Sequence, residues 1–206
     1  QRFLLFQITI NFCACILTFI APLLGYPEPF TILQILWINL IMDTLAAFAL
    51  CSEAPHTGLM NRPPVSRDEH IITPFMWASV IVTGVFFIIA GLLQMMTGFL
   101  GGTTPAEVST VFFAAFVIAQ VWNGINCRAM DGTMPPFFRG NPTFFAVMGL
   151  IVATQVLIVQ YGGVVFNTVP LSPAQWARII VMSATVLIIG FLLRVGFRRF
   201  NAVASS

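Results

Sequence analysis

Long apolar runs separated by short polar breaks pattern this chain from end to end. Six of them occupy residues 3–24, 32–50, 75–100, 108–125, 143–161 and 174–193, each near the ~20 residues that a helix needs to cross a hydrocarbon core. The breaks carry turn chemistry. Gly25-Tyr26-Pro27-Glu28-Pro29 follows the first run, Gly101-Gly102-Thr103-Thr104-Pro105 the third, and Gly162-Gly163 with Pro170-Leu171-Ser172-Pro173 bracket the connection after the fifth. Two breaks are longer and charged: 52–73 holds Arg62, Arg67, Asp68 and Glu69, and 127–142 holds Arg128, Asp131 and Arg139. The pattern predicts an all-α polytopic membrane protein, a six-helix transmembrane bundle. Its parts are a first hairpin over 1–51, a cytoplasmic loop over 52–73, four further spans within 74–195 and a cytoplasmic tail over 196–206.

A few polar residues interrupt the apolar runs at depth, and Asp43 is the most conspicuous of them. A carboxylate near the bilayer centre costs roughly 2.5–3.5 kcal/mol on insertion scales, so it needs a partner or a purpose. Asn39 precedes it by four residues, a spacing that stacks the two side chains on one face of an α-helix. Two oxygen-bearing side chains so placed form half of a hard-cation site; interhelical hydrogen bonding is the other reading. Asn11 is the strongly polar residue of the first run and by itself fits an interhelical hydrogen bond. Thr9 and Thr18 can return their hydroxyls to the backbone. Gln120, Asn123 and Asn126 recur every three residues and form a polar stripe at the end of the fourth run. Gln155 and Gln160 lie in the fifth, and Gly84, Gly91 and Gly98 recur every seven residues in the third, as a packing seam would.

Composition agrees with a membrane protein: of 206 residues 58% are hydrophobic and 8% charged, against about 25% charged in soluble domains. The net charge of +2 gives no reason to expect a nucleic-acid partner. Its placement says more. Lysine is absent, and of nine arginines eight (Arg2, Arg62, Arg67, Arg128, Arg139, Arg194, Arg198 and Arg199) fall on one side of the predicted topology, leaving only Arg178 on the other. Positive residues concentrate on the cytoplasmic side, so both termini are expected there. Cys13, Cys15, Cys51 and Cys127 show no CxxC or Cys–His spacing and read as buried free thiols. His56 and His70 read as solvated loop residues. The start at Gln1-Arg2-Phe3 has no initiator methionine or signal pattern, which suggests a piece of something larger.

With the spans placed, the chain resembles the C-terminal transmembrane region of plasma-membrane-type P-type calcium ATPases, their fifth to tenth membrane helices. The resemblance is carried first by Leu36-Trp37-Ile38-Asn39-Leu40-Ile41-Met42-Asp43-Thr44-Leu45-Ala46-Ala47, continuing through Glu53-Ala54-Pro55 to Arg62-Pro63-Pro64, similar to the sixth helix and the loop after it. Gln120-Val121-Trp122-Asn123-Gly124-Ile125-Asn126-Cys127-Arg128 is similar to the eighth. Ile158-Val159-Gln160-Tyr161-Gly162-Gly163 and Leu171-Ser172-Pro173-Ala174-Gln175-Trp176 resemble the ninth and tenth, and Phe3-Leu4-Leu5-Phe6-Gln7-Ile8-Thr9-Ile10-Asn11 the fifth.

That resemblance implies an ATP-driven pump exporting Ca²⁺ through an aspartyl-phosphate intermediate. It implies Asn39 and Asp43 as calcium ligands, Asn11 as a ligand position of two-site relatives, and Gln120 and Asn123 as further metal-site candidates. Ala14 and Gln120 stand where the two-site, reticulum-type pumps have glutamates, which implies one Ca²⁺ per cycle. Ca²⁺ takes six to eight oxygens at about 2.3–2.6 Å; one carboxylate and a few amides do not complete that shell, and the resemblance implies the rest from an upstream fourth helix. The family's phosphorylation motif DKTGT does not occur, nor does a Gly-rich nucleotide loop, and no polar segment is long enough to fold an ATP site. This stretch by itself is therefore not expected to hydrolyse ATP. ATP and Mg²⁺ are expected only through cytoplasmic domains of the same pump, which the 52–73 loop would contact. Expected partners are the lipid bilayer, those domains and the upstream helices, in a plasma membrane or bacterial inner membrane. Two other readings stay open at this point: a stand-alone, non-catalytic cation-binding membrane protein or pump remnant, and a related P-type pump for Mn²⁺ or another cation.

Overall fold

A computed structural model describes residues 1–52, 71–129 and 141–204, with side chains to 199. Most of the 52–73 and 127–142 loops, including His56, His70, Arg62, Arg67 and Arg139, lies outside the described residues. The helices are α1 (Arg2–Leu23), α2 (Ile32–Leu36), a π-helical turn (Trp37–Met42), α3 (Asp43–Cys51), α4 (Pro74–Thr97), α5 (Pro105–Arg128), α6 (Pro142–Tyr161), the short α7 (Gly163–Phe166) and α8 (Pro173–Ala204). The α2, π and α3 segments run on as one rod, so six apolar helices are long enough to cross a membrane, as the six apolar runs predict.

Local sequence explains where the helices start. Thr73, Thr104 and Asn141 each accept a backbone N–H three residues on, from Met76, Glu107 and Phe144, and a proline follows each cap at the first helical position. A capping oxygen followed by a residue that needs no N–H partner is a strong start signal. Ser172, Pro173 and Gln175 repeat the device at α8, where Gln175 Oε1 also accepts from Ser172 N at 2.8 Å. Helix ends use the left-handed conformation: Gly25 (φ 83°) closes α1 while Tyr26 N donates to Ala21 O, and Gly98 (φ 61°) closes α4.

Helix α5 is the centre of the bundle. It is buried all round from Thr110 to Gln120, as expected of a helix apolar on every face. It packs most extensively against α8, and α1 against α4. The close approach of α1 and α5 to α4 explains two glycines of the seven-residue repeat. A Cβ on Gly84 would meet the Phe12 ring at 2.6 Å, and one on Gly91 would meet Phe112 at 2.9 Å and Leu17 at 3.2 Å. Gly98 serves the helix end instead. Large apolar residues such as Phe19, Ile32, Phe48, Ile89 and Val181 stay exposed, which suits a surface facing lipid.

Two sequence expectations change. Cys15 and Cys51 are exposed, while Cys13 and Cys127 are buried; all four are free. Residues 163–166, expected within an uncharged loop, form α7, held to the second span by Gln34 Nε2 donating to Phe166 O at 2.8 Å.

Candidate metal site

Asp43 sits at the junction of the π turn and α3, and is 4% exposed. Among the described residues it is the one buried carboxylate. The π turn spaces its backbone bonds five residues apart rather than four, a local widening frequent at functional sites. Trp37, which opens the turn, is fixed by its indole N–H donating to Gln155 Oε1 at 2.8 Å. The rod is thus pinned to α6 just before the chain reaches Asn39 and Asp43.

The partner of Asp43 comes from α1. Gln7 Nε2 donates to Asp43 Oδ2 at 2.7 Å. The remaining oxygens of that pair, Gln7 Oε1 and Asp43 Oδ1, are both buried without a hydrogen-bond partner. Away from water, leaving such acceptors unpaired costs about 1–3 kcal/mol each, and more for a charged group. The two bonded groups thus leave two open acceptor oxygens, one on each.

The other sequence-predicted residues divide. Asn39, in the π turn, and Asn11, one turn beyond Gln7 on α1, are exposed. Both lie on the helices that carry the Asp43–Gln7 pair, but neither bonds to it. Gln120 and Asn123 are buried on α5, where Asn123 Nδ2 donates to Gln120 Oε1 at 3.3 Å and Gln120 Nε2 has no partner. They bond to each other and not to Asp43. Asn126, third in the stripe, is used for packing: its Nδ2 donates to Val186 O at 2.8 Å and its Oδ1 accepts from Arg194 Nη1 at 3.3 Å. Gly190 makes room for it, since a Cβ there would overlap the Asn126 amide.

Gln7 escapes a reading of the sequence by span. The available signal is its position, four residues before Asn11 and so on the same helix face. Among the described residues no three His, Cys, Asp or Glu side chains cluster. The donor set is instead one carboxylate with neutral amides, all hard oxygen, which suits Ca²⁺ or Mg²⁺ and not a thiophilic metal. A cavity of about 710 Å³ between α5, α6 and α8 is lined by apolar residues such as Val121, Phe144 and Val156 and includes no member of this set. A second, of about 20 Å³, adjoins Thr9, Thr83, Asn123 and Arg194 and has room for about one water.

Residues 27–195 match the family described as cation transporting ATPase, C-terminus. The chain belongs to that family. Over 201 residues it is 36% identical to the probable calcium-transporting ATPase 6, plasma membrane-type, of Oryza sativa subsp. japonica, covering 94% of this chain and 20% of that protein. It is 36% identical over 202 residues to calcium-transporting ATPase 4, plasma membrane-type, of Arabidopsis thaliana, covering 94% and 19%. With putative calcium-transporting ATPase 7, plasma membrane-type, of the same plant, identity is 38% over 184 residues, covering 85% and 18%. The resemblance carried by the helix motifs is borne out. The chain spans about a fifth of the length of these relatives.

Proposed function

We propose that this chain is the membrane transport part of an ATP-driven calcium pump, and that Asp43 is the charged ligand of its intramembrane Ca²⁺ site. The observation that carries this is the buried Asp43 carboxylate on a π turn, with one oxygen held by Gln7 and the other unpartnered. Its relatives' designation as plasma membrane-type calcium-transporting ATPases supports Ca²⁺ as the cargo. Asn39 and Asn11, exposed on the helices bearing the pair, supply further oxygens once other helices of the pump cover that face. Gln120 and Asn123, buried together on α5, are further candidates for the donor set. The remaining ligands, including a second carboxylate, come from an upstream helix, and ATP and Mg²⁺ act in cytoplasmic domains of the same pump. Both termini of the stretch face the cytoplasm, on the arginine asymmetry.

The test is formation of a phosphoenzyme from ATP in vesicles carrying the full-length pump, with Ca²⁺ titrated. Acid-stable phosphate that requires Ca²⁺, and that is lost in Asp43→Asn, is the expected result. Ca²⁺-dependent phosphorylation and uptake that survive Asp43→Asn overturn the site.

A further inference from the structure

We infer that Gln7, on α1, is a direct oxygen ligand of the transported cation and at the same time positions Asp43 for it. The inference rests on the function proposed above and deepens its site. Three observations meet at this side chain. Gln7 Nε2 donates to Asp43 Oδ2 at 2.7 Å, linking positions 36 residues apart on two different spans. Gln7 Oε1 is buried with no donor facing it. Asp43 Oδ1 is in the same condition, so the bonded pair leaves one free oxygen on each partner.

The orientation of the amide follows from charge. An ionised carboxylate only accepts, so it must face the NH₂ end of a glutamine, and the C=O end is then turned elsewhere. In an architectural pair that carbonyl would find a donor of its own. Gln34, Gln94 and Gln160 show this: the Oε1 of each accepts a backbone N–H, from Thr31, Leu100 and Leu171. Gln7 alone of these four leaves its Oε1 open beside a carboxylate that is also open. A divalent cation satisfies both oxygens at once without disturbing the Nε2–Oδ2 bond, and that bond holds the carboxylate from rotating as the ion enters. Asn11 has the same chemistry one turn along but bonds to nothing in this site and is exposed. On α1 the ligand nearest the charge is therefore Gln7.

The experiment uses the full-length pump in vesicles and reads the Ca²⁺ concentration for half-maximal phosphoenzyme, together with the phosphoenzyme level at saturating Ca²⁺. Gln7→Met keeps the length and loses both donor and oxygen; Gln7→Glu keeps an oxygen and replaces the amide donor by a second carboxyl that shares a proton with Asp43. We expect Gln7→Met to raise the half-saturating Ca²⁺ at least tenfold while still phosphorylating at saturation. Gln7→Glu is expected to stay within threefold of the parent and to change the ratio of Ca²⁺ to Mn²⁺ half-saturation by fivefold or more. A Gln7→Met pump within twofold of the parent overturns the inference. Equal losses in Gln7→Met and Gln7→Glu overturn the ligand role and leave Gln7 as a donor to Asp43 only. A thermal midpoint measured on each variant in detergent separates folding from binding: a purely structural role moves the midpoint and not the half-saturation, and that pattern too overturns it. Asp43→Asn runs alongside as the control. If it retains Ca²⁺ dependence, the functional reading itself has failed; if it loses it while Gln7→Met is silent, only the inference about Gln7 has failed.

Discussion

The helix ends around α4 and α6 and the junction between α1 and α3 are built from the same side-chain chemistry, with opposite completeness. At the end of α4, Gln94 accepts from Leu100 N at 2.9 Å and donates to Gly101 O at 3.0 Å, so the amide replaces the backbone partners that the turn has lost. At the end of α6, Gln160 does the same for both backbone groups of Leu171, at 2.9 Å each. These amides are saturated, and they staple loops to spans. Between α1 and α3, Gln7 and Asp43 make one bond and leave two buried oxygens open. Within hydrocarbon no water can complete them. The saturated amides at the ends of α4 and α6 serve architecture, whereas the open oxygens of Gln7 and Asp43 meet at the one buried carboxylate among the described residues.

The strongest way to break that contrast is to remove the open charge. Asp43→Asn keeps the size and an oxygen but deletes the charge and places a second amide against Gln7. We expect complete loss of Ca²⁺-dependent ATP phosphorylation and of Ca²⁺ uptake in vesicles. The thermal midpoint should be equal to or above that of the parent, since an uncompensated buried charge has been removed. A mutant that loses activity only because it unfolds would place Asp43 with the staples.

The converse substitution is Gln94→Leu. It leaves the Leu100 N–H and the Gly101 carbonyl without their partner, at about 1–3 kcal/mol for each group that water does not reach. The expected outcome is a thermal midpoint several degrees lower in detergent, with the half-saturating Ca²⁺ unchanged within twofold. A large change in Ca²⁺ affinity with no loss of stability would erase the distinction between the two regions. Gly84→Ala is a smaller intervention on the scaffold. Its Cβ would press the Phe12 ring at 2.6 Å; the ring can move, so about 1 kcal/mol of destabilisation is expected, at the low end for overpacking. Phe12 neighbours Asn11 and lies on the helix that carries Gln7. Gly84→Ala therefore presses on the helix that carries Gln7, and a Ca²⁺ titration beside the melting curve would measure any effect on the site.

These contrasts also show what a sequence can and cannot reveal here. The spans were legible because hydrophobic run length is a local property and the bilayer sets its scale. Helix starts at Pro74, Pro105 and Pro142 lay up to three residues before the apolar onset, because each proline, read as a break, is the first residue of its helix behind a Thr or Asn cap. Asp43 and Asn39 stood out because polarity at depth is locally conspicuous. The π turn did not, since nothing in Trp37-Ile38-Asn39-Leu40-Ile41-Met42 differs in kind from an α-helical run. It separates the buried Asp43 from the exposed Asn39, which simple i, i+4 stacking places together. The Gln7–Asp43 bond was hidden for another reason: it joins residues 36 apart through packing of α1 on α3. Gln120, Asn123 and Asn126 share a spacing but not a fate, because Gly190 and Val186 of α8 receive the third amide and not the first two.

The smallest effect is expected at the end of α8. Helix α8 continues through Arg198 and Arg199 to Ala204, and both arginines are exposed. Arg194, four residues before Arg198, is 9% exposed and donates to Asn126, so it belongs to the bundle. Screening at about 8 Å under physiological salt leaves exposed charges at the end of α8 little influence on the buried Asp43 carboxylate. Arg198→Gln with Arg199→Gln should therefore change the half-saturating Ca²⁺ by less than twofold. Arg194→Gln should lower the thermal midpoint, because it exchanges a guanidinium fitted against Asn126 for a shorter amide. If the exposed pair proves to matter as much as the buried arginine, these charges do more than mark the end of the helix, and burial ceases to be the property that divides the two regions.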